Sequence, residues 1–194
     1  LTIGLIIHLF AWTYVFALNR TSPLSKAYLI YIGSIMGWLL FDLIGRIIFG
    51  EPAPLYYLRI MSIFWLYLGI GMLHFIYVLL EKKYDTIFKI FAWLYPLALI
   101  LSFTTKMSAV PNNLFLLTLV LIICLPSLYS IYLIINRLRK TKNEILNLQL
   151  KLIISGILFV MAIGVGTDVI PIYLGLNFEW RLGSTITCLQ AFFI

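Results

Sequence analysis

Four ionisable side chains sit where a mostly apolar chain has least use for them: Asp42, Arg46, Asp168 and Arg181. Asp42 and Arg46 are four residues apart within one long apolar run, which puts them on the same helix face in the favourable acid-then-base order. A charge turned toward lipid costs several kcal/mol, so such a pair belongs in a bundle interior or a wet cavity. Asp168 ends another apolar run just before Pro171, and Arg181 precedes the next one; Glu51 and Glu179 fall in neighbouring connections. These groups can pair charges and recognise a polar ligand, and they form the candidate ligand-binding set. A second reading is that Asp42 and Arg46 only neutralise each other and pin their helix, and that Asp168 only ends its own.

Nothing in the chain points to bond-making chemistry. The sequence contains no GxGxxG, P-loop, HExxH, GxSxG or paired-cysteine motif. Cys124 and Cys188 lie far apart in apolar stretches with no His at metal-ligand spacing, so they read as small buried hydrophobes. His8 and His74 are isolated; the positions three and four residues either side of His74 are Ile70, Gly71, Tyr77 and Val78. They read as neutral, hydrogen-bonding residues rather than ligands. No catalytic residue, metal site or cofactor is expected.

The elements that must position the four charges are membrane spans. The chain is 63% hydrophobic, has a mean hydropathy of +1.06, and only 11% of its 194 residues are charged. About 20 apolar residues cross a bilayer core of about 30 Å. The runs 1–18, 27–49, 57–80, 87–103, 113–135 and 148–170 read as six spans, with an incomplete seventh at 182–194. The expected fold is an all-α, polytopic helical bundle forming one domain over residues 1–194. The chain opens on Leu1 and closes on Phe192-Phe193-Ile194 inside an apolar run, so a fragment cut within helix seven is expected.

Charge distribution sets the expected orientation. The connections after the first, third and fifth runs hold ten Lys/Arg (Arg20, Lys26, Lys82, Lys83, Lys89, Arg137, Arg139, Lys140, Lys142 and Lys151) with Glu81, Asp85 and Glu144. The other side holds four Lys/Arg (Arg46, Arg59, Lys106 and Arg181) with four acids. The positive-inside bias puts the N-terminus outside and delivers helix seven to the cytoplasm. The connection Asn136–Asn147 is the most basic and attracts anionic lipid; Thr141 and Glu144 have capping-box spacing for the helix that follows.

Small residues let membrane helices approach closely. Gly33, Gly37 and Gly45 in the second run, Gly69 and Gly71 in the third, and Gly156, Gly164 and Gly166 in the sixth mark those three as the expected inner helices. Pro96 and Pro126 predict kinks in the fourth and fifth runs. Most tyrosines near run ends read as interface anchors, whereas Trp12, Trp38, Trp65 and Trp93 read as packing residues. There is no internal repeat, no arginine ladder, and no Lys in 182–194 for a retinal Schiff base.

The segment Gly164–Ser184, GVGTDVIPIYLGLNFEWRLGS, resembles the sixth-helix end, external loop and seventh-helix start of the N-terminal seven-helix region of bacterial membrane histidine kinases. Gly166, Asp168, Ile170, Pro171, Leu182 and Gly183 carry the match, while Trp180 and Arg181 stand where that pattern has a Pro before Leu-Gly. The resemblance implies a sensory input module of the bacterial inner membrane, of the kind also attached to cyclic-dinucleotide synthases or phosphatases. Its partners would be the lipid bilayer, an unknown signal ligand, a cytoplasmic signalling domain in cis and a second copy in a homodimer, with no nucleic acid. A transporter or channel subunit is the alternative function, with Asp42, Arg46 and Asp168 lining a path. A lipid-processing membrane enzyme is a third and weaker reading, because no catalytic cluster converges at one level.

Overall fold

A computed structural model describes residues 2–50, 53–105 and 113–164. Among these residues the fold is entirely helical. The helices are α1 (Thr2–Asn19), α2 (Pro23–Phe49), α3 (Leu55–Trp65), α4 (Tyr67–Leu79), α5 (Thr86–Thr104) and α6 (Asn113–Leu119). A π-helical turn (Val120–Cys124) follows, then α7 (Leu125–Leu138) and α8 (Glu144–Gly164). In hydrocarbon every backbone N–H and C=O must be satisfied within the segment, and an apolar helix does this without help from neighbours. Six segments are long and apolar enough to cross a membrane, with α3 and α4 forming one and α6, the π turn and α7 contributing to another. The chain therefore has the architecture of a multi-pass membrane protein. The seventh run, 182–194, lies outside the described residues, as does the sixth beyond Gly164.

Local chemistry moves several boundaries from those the apolar runs predict. The second span begins at Pro23 rather than Ala27, because the Ser22 hydroxyl accepts the Ser25 N–H at 3.0 Å and Pro23 needs no hydrogen-bond partner in the first turn. It ends at Gly50, whose φ of 67° lies in the left-handed region. The eighth helix is capped by Asn143, not by a Thr141 capping box: Asn143 Oδ1 accepts the Leu146 N–H at 3.1 Å, and the Thr141 carbonyl accepts from Asn147 Nδ2 at 3.4 Å.

The two in-span prolines behave differently. Pro96 is contained within a continuous α5. Pro126 has no N–H for the Ile122 carbonyl four residues back, and its ring crowds that carbonyl. The chain answers with the wider π turn, in which the Leu125 N–H reaches Val120 O, and α7 restarts with Pro126 in its first turn. A second irregularity interrupts the third span, where Leu66 forms a turn between α3 and α4.

The main core lies along α2, α4, α7 and α8, centred on Ile32, Ile35, Leu39, Leu73, Ile76, Ile134 and Leu150. Among the described residues, the second, third and fifth spans are the most buried, and the sixth turns Leu150, Ile153, Gly156 and Ile157 toward the core. The first and fourth spans expose most of their surface. Trp93 belongs to that exposed surface rather than to the packing inside the bundle.

Candidate functional site

The expected ion pair is present. Arg46 donates from Nε to Asp42 Oδ1 at 3.3 Å and from a terminal guanidinium nitrogen to Asp42 Oδ2 at 3.2 Å. Its side chains retain 35% (Arg46) and 20% (Asp42) of their exposure, so the pair sits at the flank of the bundle rather than inside its core. Beside it, the Tyr57 hydroxyl donates to the Phe41 carbonyl, and the rings of Phe64, Phe41, Tyr57 and Phe49 pack in succession. Asp168 and Arg181 lie outside the described residues, as do Gly166 and the rest of the distinctive segment up to Ser184.

The glycines of α2 seat side chains rather than one neighbouring backbone. A Cβ at Gly37 would run into the Phe64 ring, and one at Gly45 would lie 2.6 Å from Tyr57 Cε1. Gly33 instead faces α1, where Trp12 Nε1 would be 3.8 Å away and donates to the Leu29 carbonyl at 3.2 Å. Gly69 is different: a Cβ there would collide with the Ile122 carbonyl oxygen and lie 2.9 Å from Ile123 Cα. The carbonyl that Pro126 cannot serve is thus the atom that presses on Gly69. Gly156 is buried in α8.

Arg59 in α3 was legible only as an outer-side charge. It donates to the Thr105 carbonyl at 2.9 Å, and one turn deeper the Ser62 and Ser102 hydroxyls meet at 2.6 Å. These two contacts fasten α3 to the C-terminal half of α5. His8 is fully buried, with Nδ1 donating to the Gly4 carbonyl at 2.9 Å. His74 is half-buried and bonds the Tyr84 hydroxyl through Nδ1 at 3.0 Å. Among the described residues no cluster of His, Cys, Asp and Glu is suited to a metal, and Cys124 is a free thiol.

Sequence reasoning missed the most developed polar constellation, at the end of the bundle opposite Asp42. Lys82 Nζ donates to Asp85 Oδ2 at 2.6 Å and stands 4.8 Å from the centre of the Tyr77 ring and 5.8 Å from that of Tyr129. The Tyr129 hydroxyl donates to the same Asp85 oxygen at 3.2 Å, and Asp85 Oδ1 caps α5 by accepting the Phe88 N–H at 3.0 Å. One carboxylate therefore ties together the α4–α5 connection, the start of α5 and the middle of α7. Burial alone would raise the Asp85 carboxyl, but Lys82, the Tyr77 hydroxyl and the Phe88 N–H hold it well below the usual carboxylate range. Burial pulls the Lys82 ammonium the other way, and Asp85 and Tyr129 outweigh it and raise its pKa. The ion pair itself is open to water, at 37% and 34% side-chain exposure, and by itself contributes at most about 1 kcal/mol. The cap adds about 1 kcal/mol and the ring contacts about 0.5–1 kcal/mol.

The backbone holds this latch by a strained turn. Lys82 N donates to Tyr77 O at 2.9 Å and Glu81 N to Val78 O at 3.1 Å, the paired bonds of a Schellman motif. Its left-handed position is filled by Glu81, with φ of 51°, where glycine is usual. The contact that normally accompanies the motif is here the Lys82 ammonium over the Tyr77 ring. The available signal was Asp85 directly before a helical run, a capping residue three positions ahead of Phe88.

Comparison with protein families, curated proteins and solved structures finds no match to this chain.

Proposed function

We propose that the chain is a sensory input module of a signal-transduction protein in a bacterial inner membrane, with its N-terminus outside. A signal from outside or within the bilayer binds at the polar end formed by Asp42 and Arg46, with Asp168 and Arg181 contributing to the same site. The bound signal changes helix packing. The run 182–194 acts as helix seven and passes that change to a cytoplasmic output domain in cis, such as a histidine kinase, within a homodimer. The 194 residues perform no catalysis themselves.

The observation that carries this reading is the pairing of two irregular joints inside the bundle. Leu66, the break between α3 and α4, packs with Trp65, Ala98 and Ile122, and Ile122 belongs to the π turn. These joints lie between the Asp42–Arg46 pair and the Lys82–Asp85 latch. Spans jointed in their middles can take up two packings, and a ligand biases such an equilibrium only through different affinity for the two. The ten-to-four Lys/Arg asymmetry supports the orientation.

The test is to fuse residues 1–194 through a helical linker to a reporter histidine kinase and to compare Asp42→Ala, Arg46→Leu and Asp168→Asn. The basal output should shift a few-fold in each variant while membrane insertion stays normal. Unchanged output in every variant, with solute uptake into liposomes, would overturn this reading in favour of the transporter.

A further inference from the structure

The cations at the Lys82 end divide into two groups. Lys82 is engaged by Asp85, Tyr77 and Tyr129 within the fold. Arg137, Arg139, Lys140 and Lys142, four cations in six positions, are exposed, and none has an acidic partner among the described residues. They do not sit on a loose loop. The Arg139 N–H bonds the Ile135 carbonyl at 3.1 Å, and the Lys140 and Thr141 N–H groups both bond the Arg137 carbonyl at 3.0 Å. Asn143 then caps α8, and Asn147 ties back to Thr141. The backbone of the connection is fixed, so its charges are presented together.

Two large apolar side chains are exposed beside these cations at the start of α8: Ile145 at 73% and Leu148 at 61%. In water that exposure would be unfavourable, but at a bilayer surface it places both in acyl chains while the cations lie level with headgroups. Tyr132, one turn before the cations, is also exposed and stacks on Tyr129 at 5.8 Å, as an aromatic anchor of the same interface would. We propose that the α7–α8 connection is a binding site for the headgroups of anionic phospholipids, with Arg137, Arg139, Lys140 and Lys142 contacting phosphate and Ile145 and Leu148 inserted beside them. Guanidinium groups suit phosphate oxygens in a bidentate mode, and ammonium groups add point charge. The proposal does not depend on what the module senses, nor on which side of the membrane the connection faces.

The test is native mass spectrometry of the full chain released from nanodiscs of phosphatidylcholine mixed with phosphatidylglycerol. The wild type should retain phosphatidylglycerol preferentially, and raised salt should abolish the preference. The double variant R139Q/K140Q should lower the preference by roughly fivefold per charge removed. The quadruple change R137Q/R139Q/K140Q/K142Q should abolish it. Because losing four cations could disturb insertion, a second series keeps the charge but not the fork: R137K/R139K should retain most of the preference and insert normally. Equal phosphatidylglycerol retention in wild type and R139Q/K140Q overturns the site. So does stabilisation by soluble glycerol phosphate in pure phosphatidylcholine that equals the effect of the lipid, since the source would then be a free phosphate.

Discussion

Replacing Gly69 with alanine adds one methyl group at the point where α4 meets the π turn, and the structure fixes the sign of the result. A helical Gly→Ala change ordinarily gains about 1 kcal/mol. At Gly69 the new Cβ meets the Ile122 carbonyl oxygen and lies 2.9 Å from Ile123 Cα and 3.0 Å from Ile122 C. These are backbone atoms, so no side-chain rotation clears them, and overpacking of this kind costs about 1–3 kcal/mol or more. With backbone atoms this close the cost lies at the upper end, about 3 kcal/mol, so Gly69→Ala should destabilise by about 2 kcal/mol net. Gly33→Ala is the internal control: its nearest obstacle is Trp12 Nε1 at 3.8 Å, an ordinary contact, so it should be neutral or stabilising by up to about 1 kcal/mol. Gly37→Ala should fall between them, since the Phe64 ring that blocks it can turn aside. Reversible unfolding in mixed micelles with increasing SDS, followed by far-UV circular dichroism, measures all three. A Gly69→Ala protein as stable as wild type, or the same shift in all three variants, would refute the claim that backbone contact at Gly69 positions the π turn.

Asp42→Ala should destabilise more than Asp42→Ala combined with Arg46→Leu, because the single change strands a partly desolvated cation; equal detergent melting of both would show that the pair has no structural coupling. Asp85→Asn should remove acid sensitivity from the α4–α5 connection. The Asp85 pKa is lowered on folding, so its stabilisation is complete above the unfolded value of about 4 and is lost as pH falls below it. Amide exchange at Phe88 across that range in wild type and variant checks the direction. Glu81→Gly should stabilise by about 0.5–1 kcal/mol, the left-handed position being relieved more than the unfolded chain gains freedom, and thermal melts would show it.

The first six spans and the Asp42–Arg46 contact were legible because each depends on residues near in sequence: an apolar run of sufficient length, or an i, i+4 spacing on one helix. What escaped depended on contacts between distant residues. Tyr129 and Asp85 are 44 positions apart, and neither carries a sign of the other. Gly69 reads as a small packing residue, but only the fold shows that it faces a carbonyl released by Pro126. The glycine stripe of α2 marked a closely packed helix, but spacing along one helix cannot say whether a ring or a backbone fills each notch. Helix starts shifted where polar caps precede the apolar run: Ser22 starts α2 ahead of its run, and Asn143 rather than Thr141 caps α8. Asp168, Arg181 and Gly166 fall outside the described residues and keep only their reading from sequence.

The five residues of the π turn have a mechanical meaning beyond accommodating a proline. A π bond spans one more residue than an α bond, so α7 is out of phase with the helix before it by one residue. That offset corresponds to about 100° of rotation and about 1.5 Å of rise. Should Val120–Cys124 tighten to α bonding, everything beyond Leu125 must turn by that amount. Tyr129 would then leave Asp85, and Arg137 and its neighbours would sweep to a new bearing around the helix axis. Pro126 keeps Ile122 from closing an α bond, so the offset is held in place, and the latch and the basic connection take their bearing from the same locked step.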